Sequence, residues 1–152
     1  AYCKFLESPK YSLDQTNTRE AINELQAFAN RFPNSERLTK VNELIDKLRA
    51  KLEKKNYEQA KLYFRMEDYR AAIVSFNNLL NNFPDTEYRE ESLFKILEAK
   101  YIYAKNSIPS KQKERYLEVI EAYDKLISLY PDTDYKKKAN KYNQEALAFI
   151  EA

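Results

Sequence analysis

The sequence predicts an all-α fold, an α-solenoid of antiparallel helix pairs with one long helix fused across a repeat boundary. Three observations predict it. One phrase occurs three times, as Phe32-Pro33-Asn34-Ser35, Phe83-Pro84-Asp85-Thr86 and Tyr130-Pro131-Asp132-Thr133. Each phrase ends an apolar comb with steps of three and four residues: Ile22, Leu25, Ala29, Phe32; Ile73, Phe76, Leu80, Phe83; Ile120, Tyr123, Ile127, Tyr130. That spacing puts each comb on one helix face. Finally, 152 residues contain no Gly, where average usage of about 7% would give roughly ten.

Each element follows from the same chemistry. The proline of the phrase lacks an N–H and pushes the aromatic before it out of helical geometry, so the comb helix stops there. Asn or Asp followed by Ser or Thr then caps the next helix. Residues 2–8 read as the end of a helix and 9–17 as a polar connection containing Pro9. Asn17, with Glu20 three positions on, suits a helix start, so the first comb helix is expected from about Thr18 to Arg31. From Ser35 to about Met66 there is neither Pro nor Gly. Leu38, Val41, Ile45, Leu48 and Leu52 keep one face, Glu53-Lys54-Lys55-Asn56 interrupts it, and Tyr57, Ala60, Tyr63 and Phe64 resume on a rotated face. One long helix that changes packing partner midway fits this pattern; two helices broken near residue 55 is the alternative. Glu67-Asp68 forms a turn before the second comb helix, Tyr69 to Asn82. A helix from about Glu87 to Lys105 mixes two apolar faces. Residues 106–114 read as a loop, followed by the third comb helix, Arg115 to Leu129. A closing helix, about Asp134 to Glu151, carries Ala139, Tyr142, Ala146 and Phe149. No stretch sustains strand periodicity. The chain thus reads as one solenoid over 1–152, with units at about 1–34, 35–85 and 86–133 and a closing helix at 134–151.

Composition excludes several function classes. Twenty-six basic and 24 acidic residues are interspersed, for a net charge of +2, and nucleic-acid binding would require a basic stripe. The only basic run, Lys136-Lys137-Lys138, reads as a solvated face. There is no His and one Cys, which removes the commonest general base and any thiolate zinc site. Without Gly there is no phosphate-cradling loop. No apolar run approaches the ~18 residues of a membrane span. The opening Ala1-Tyr2-Cys3 reads as helix interior, so an excised fragment lacking its targeting segment is expected. Cys3 reads as a small buried hydrophobe. Paired acids such as Glu90 with Glu91, or Glu118 with Glu121, lack the burial that would tune a catalytic pKa. No catalytic, cofactor or metal residue is nominated, and a non-enzyme is expected.

The middle unit resembles the tetratricopeptide repeat. With Pro84 as the terminal proline, Ala60 falls on the small helix-crossing position, where Gly is usual. Tyr63 falls on the first-helix aromatic, and Ala72, Phe76 and Leu79 on the small, aromatic and apolar positions of the second helix. The proline spacings of 51 and 47 residues exceed the 34 of that repeat. The phrase endings, long repeats, fused helix and insertion before a comb helix resemble the BamD (YfiO-like) family of outer-membrane assembly lipoproteins. The phrase also occurs in other periplasmic tetratricopeptide proteins, such as CpoB-type coordinators.

The resemblance to BamD implies a scaffold of the outer-membrane β-barrel assembly machinery at the periplasmic face of the outer membrane. It implies docking of the POTRA domains of BamA and other machinery components, with membrane contact only through an N-terminal lipid anchor and no nucleic acid. The alternative is a general periplasmic adaptor that grips extended peptides. Two sets of partner-binding residues are nominated. Tyr57, Lys61 and Phe64 would line a groove of first helices, mixing aromatic rings with a cation. Tyr101, Lys105, Ile108 and Pro109 would belong to a docking surface around the 106–114 insertion, since dispensable loops are often functional. Of the thirteen tyrosines, most read as core, with Tyr57, Tyr69, Tyr88 and Tyr135 read as freer.

Overall fold

A computed structural model describes residues 2–6 and 15–152. The described residues are helical, in the order α1 (Tyr2–Leu6), α2 (Thr16–Arg31), α3 (Leu38–Arg65), α4 (Tyr69–Asn82), α5 (Arg89–Lys105), α6 (Pro109–Leu129) and α7 (Lys136–Glu151). The fold is all-α and tetratricopeptide-like. Pro9 and most of the expected first connection, and the side chain of Cys3, lie outside the described residues. The chain divides into two compact units, residues 1–55 and 56–152.

In the first unit, α1 and the N-terminal part of α3 pack on α2. Ala21 and Leu25 meet Val41, Leu44, Ile45 and Leu48 in one cluster, flanked by Phe5, Ile22 and Phe28. The start of α2 differs from the Asn17 expectation. Gln15 is the N-cap, and its buried Oε1 accepts the Thr18 hydroxyl at 2.6 Å. Asn17 is exposed. The helix starts at Thr16, so Asn17 lies within its first turn and does not cap it.

Residues 38–65 form one helix, not two. The four polar residues at 53–56 fall where its contacts change: the cluster of the first unit ends at Leu48, and that of the second begins at Tyr57. Glu, Lys and Asn carry no backbone penalty large enough to break a helix.

In the second unit, consecutive helices are joined by short turns and pack side by side. Tyr57 and Ala60 meet Ala72, Phe76, Leu79 and Ile96 in one cluster. Leu93, Phe94, Leu97, Tyr101 and Ala104 of α5 meet Val119 and Leu126 of α6 and Ala139 and Ala146 of α7 in another. Ala60, Ala72, Phe76 and Leu79 are all fully buried, as the repeat resemblance implies. α5 is central and carries buried residues on every side, which accounts for its two apolar faces.

The most buried stripe of the comb helices is partly offset from the comb, sharing Phe76 with it in α4. It runs through Ala72, Phe76 and Leu79 in α4, and through Val119 and Leu126 in α6, each with no exposed surface. Ile73, Leu80 and Phe83, or Ile120, Tyr123 and Tyr130, flank it and are partly buried. The flank has its own partner, because Leu80 packs against both clusters.

The repeated phrase builds one turn three times. Ser35, Thr86 and Thr133 donate their N–H to the aromatic carbonyl three residues back, at 3.1, 3.0 and 3.2 Å. Their hydroxyl oxygens accept the N–H two residues on, from Arg37, Tyr88 and Tyr135, at 3.2, 3.2 and 3.3 Å. These bonds satisfy donors that a starting helix leaves open. In the two later copies the phrase continues to a tyrosine. Tyr88 stacks on Tyr57 with centroids 3.8 Å apart, and Tyr135 stacks on Phe94 at 4.4 Å. Each turn therefore also delivers a ring to the helix before the one it ends, α3 for Tyr88 and α5 for Tyr135. Tyr88 and Tyr135 are half-buried, not free as their position outside the comb suggested.

The α3–α4 turn closes without glycine. Glu67 adopts φ 62°, the Asp68 N–H reaches the Tyr63 carbonyl at 3.0 Å, and the Glu67 N–H reaches Phe64 at 3.1 Å. This is a Schellman closure. Asp68 then caps α4 by accepting the Ala71 N–H at 3.2 Å.

Candidate functional site

The first-helix face holds Tyr57, Lys61 and Phe64, but not as an open slot. Tyr57 is only 7% exposed and donates its hydroxyl to Glu91 Oε2 at 2.6 Å. Burial first, and that bond second, hold its hydroxyl well above the usual tyrosine pKa. Lys61 Nζ sits over the Tyr57 ring at 4.8 Å, and Lys95 Nζ over the Phe64 ring at 4.5 Å. The Phe64 ring also meets Tyr69 edge-on at 5.4 Å. Each aromatic of the nominated trio already has an intramolecular cation on it.

The same pattern continues between α5 and α7. Tyr142 donates to Glu98 Oε2 at 2.7 Å, while Lys95 bonds Glu98 Oε1 at 3.3 Å. Tyr101 donates to Glu145 and stacks on Tyr142 at 4.4 Å. Tyr101 is 7% exposed, so it belongs to the core beneath the nominated docking surface and not to the surface itself. The reason is its partner: a helical tyrosine reads alike on either face until α7 lies against it. Lys105 Nζ lies 5.9 Å from the Tyr101 ring centroid and is exposed.

The expected 106–114 loop is mostly helix. Pro109 is the first residue of α6, with Ile108 as N-cap at φ −64° and ψ 149°. A proline at the first helical position loses no hydrogen bond and presets φ. Only residues 106–108 connect the two helices. Gln112 bridges them, its Nε2 donating to the Ala104 and Lys105 carbonyls at 3.4 and 3.2 Å. Ser107 Oγ donates to the Tyr103 carbonyl at 2.5 Å and accepts from Arg115 Nη1 at 2.6 Å. The Arg115 guanidinium lies 4.4 Å from the Tyr103 ring centroid.

This tip frames a groove of about 540 Å³, lined by Glu67 and Tyr69 from the α3–α4 turn, Tyr103 and Asn106 at the end of α5, and Ser107, Ile108, Lys111 and Arg115. That volume is in the range of ligand-sized clefts. Ile108 is 63% exposed, and Lys105 and Pro109 are exposed beside it. Burial, and then the charges of Glu67 and Glu98, raise the Tyr69 pKa. Of the nominated residues, Ile108 lines the groove. Lys111 falls within the nominated 106–114 stretch and Tyr69 was read among the freer tyrosines, whereas sequence reasoning did not single out Tyr103 and Arg115. The eight-residue spacing of Ser107 and Arg115 becomes a contact only because α6 starts at Pro109. Among the described residues no three His, Cys, Asp or Glu side chains gather as a metal site, and no helix is long and apolar enough to cross a membrane.

Residues 2–115 match the YfiO family, described as outer membrane lipoprotein. The outer membrane protein assembly factor BamD of Caulobacter vibrioides is 28% identical over 99 residues, which is 65% of this chain and 32% of the relative. The chain thus spans about a third of the length of the curated relative it matches. The family match runs from α1 to Arg115 and so takes in every residue that lines the tip groove. The chain belongs to the YfiO family of outer-membrane lipoproteins, proteins of the periplasmic face of the outer membrane.

Proposed function

We propose that this chain is a non-catalytic scaffold in outer-membrane β-barrel protein assembly, and that it docks partner proteins through its helix-pair repeats. The observation that carries the reading is the family match over residues 2–115. The composition supports binding over chemistry, since a chain without His or Gly lacks the usual general base and phosphate loop. The POTRA domains of BamA are the partner that the family resemblance suggests. The tip around Lys105, Ile108 and Pro109 is the favoured face, because its side chains are exposed while Tyr57, Lys61 and Phe64 are engaged with one another and with α5. That engagement also argues against the alternative of an adaptor gripping extended peptides along the first helices.

Calorimetric titration of the chain with the POTRA domains of BamA from the same source tests the proposal. The expected result is a Kd of about 1 μM or tighter, weakened by the double variant Lys105→Glu, Ile108→Asp. Absence of heat, with helical circular dichroism retained, would refute docking by this chain.

A further inference from the structure

The tip groove has a charge arrangement that docking in general does not require. Its α6 wall carries two cations, Lys111 and Arg115, and Glu67 is the one acid among the lining residues. Lys111 is exposed, and among the described residues its ammonium forms no ion pair or hydrogen bond. Arg115 is held in place: Nη1 bonds Ser107 Oγ at 2.6 Å and the guanidinium lies over Tyr103 at 4.4 Å. Among the described residues Nε and Nη2 make no further hydrogen bond, which leaves one edge of the planar fork open. A fixed, weakly hydrated guanidinium with an open edge suits a carboxylate, and less side-chain entropy is lost when it binds.

The neighbouring helix end is prepared in the same sense. The last carbonyls of a helix repel anions, but those of α5 are occupied. Ser107 donates to Tyr103 O, and Gln112 donates to Ala104 O and Lys105 O. No acid lies in the first turn of α6. The remaining lining supplies apolar and aromatic surface, with Ile108 63% exposed and Tyr69 half-buried. A space of about 540 Å³ accommodates a few side chains of a peptide.

We infer that the groove between the α3–α4 turn and the α5–α6 turn is a binding site for an acidic peptide segment of a partner protein, with a carboxylate on Lys111 and Arg115 and an adjacent apolar side chain on Ile108 and Tyr69. The inference rests on the docking reading above and names the chemistry of the segment docked. Glu67, on the opposite side, disfavours a segment acidic along its whole length and so sets its direction.

The test is a ¹⁵N NMR titration of the chain with a capped hexapeptide that has two central glutamates flanked by leucines. The isosteric glutamine peptide is run in parallel. The expected result is amide shifts confined to 67–69 and 103–115, with at least a roughly tenfold loss of affinity for the glutamine peptide. Lys111→Glu, at an exposed position that holds no other element, should bring a similar loss. Arg115→Lys keeps the charge but removes the fork and should weaken binding severalfold; an otherwise unchanged amide spectrum checks its fold. Equal binding of the two peptides, shifts centred elsewhere, or no shifts up to ~5 mM peptide would overturn the inference. The POTRA titration separates the two readings: POTRA binding without glutamate-peptide binding removes this site and leaves docking intact. Peptide binding at the groove without POTRA binding does the reverse.

Discussion

Replacing Phe76 with alanine tests how the second unit is held together. Phe76 has no exposed surface and shares its cluster with Tyr57, Ala60, Ala72, Leu79 and Ile96. Phe→Ala in a core costs about 3–5 kcal/mol, part from lost transfer free energy and part from the cavity left behind. Here the upper half of that range is expected. Ala60 and Ala72 have no side-chain torsion with which to fill the void, and Tyr57 is tied to Glu91 and stacked on Tyr88. For a unit of this size each kcal/mol moves Tm by roughly 4–8 °C, so a fall on the order of 20 °C is expected. Helix pairs depend mainly on their neighbours, so amide hydrogen exchange should show protection lost first in α4 and the C-terminal part of α3. Phe76→Leu should cost less than half as much. Val74→Ala, on the same helix but 54% exposed, should stay within about 0.5 kcal/mol. A cost below about 1 kcal/mol for Phe76→Ala, or equal costs for Phe76→Ala and Val74→Ala, would refute this account of the core.

Three further predictions follow from the turns and the tyrosines. Thr133→Val keeps the shape but removes the hydroxyl that accepts the Tyr135 N–H; a loss of about 1 kcal/mol, read by urea denaturation, is expected, and Thr86→Val should match it. Glu67→Gly should stabilise by up to about 1 kcal/mol, because φ 62° is strained for a residue with a Cβ and free for glycine; a lower Tm would count against strain at this turn. Tyr57, Tyr101 and Tyr142 have pKa values raised above the ordinary tyrosine value, chiefly by burial and then by their glutamate partners. The unfolded chain therefore loses these protons first. Their stabilising contribution is complete below pH ~10 and declines as pH rises from there towards the folded values. Chemical denaturation between pH 9 and pH 11 should show this fall, and the Tyr57→Phe, Tyr142→Phe double variant should flatten it.

Much of the architecture is legible in local chemistry. The proline phrase, the combs and the absence of glycine determine seven helical stretches and where most of them end, because these are effects of one residue on its immediate neighbours. The same holds for the hydroxyl turns at Ser35, Thr86 and Thr133. The long helix and the change of partner at residues 53–56 are also visible, since a shift in apolar phase is a local pattern. The errors lie where one residue type has two local meanings. Pro109 can end an extended segment or begin a helix, and only the fit of α6 against α5, secured by Gln112 and Arg115, selects the second.

The sequence by itself determined the helices, their repeat and the absence of the residues that common catalytic sites require. The tertiary structure alone decided which side is deepest outside the middle unit, where the repeat resemblance already pointed to Ala72, Phe76 and Leu79, and which aromatics remain free. The combs locate an apolar face, yet the fully buried stripe shares only Phe76 with its comb and takes Ala72 and Leu79 in place of Ile73 and Leu80, because a middle helix is covered by two neighbours at once. Tyr57 and Tyr101 looked available, but each hydroxyl is met by a glutamate from 34 or 44 positions away. The tip groove draws Tyr69 from the start of α4 and Arg115 from α6. Such pairings depend on helix crossing and rotation, which arise from the packing of whole faces and leave no trace at any single spacing along the chain.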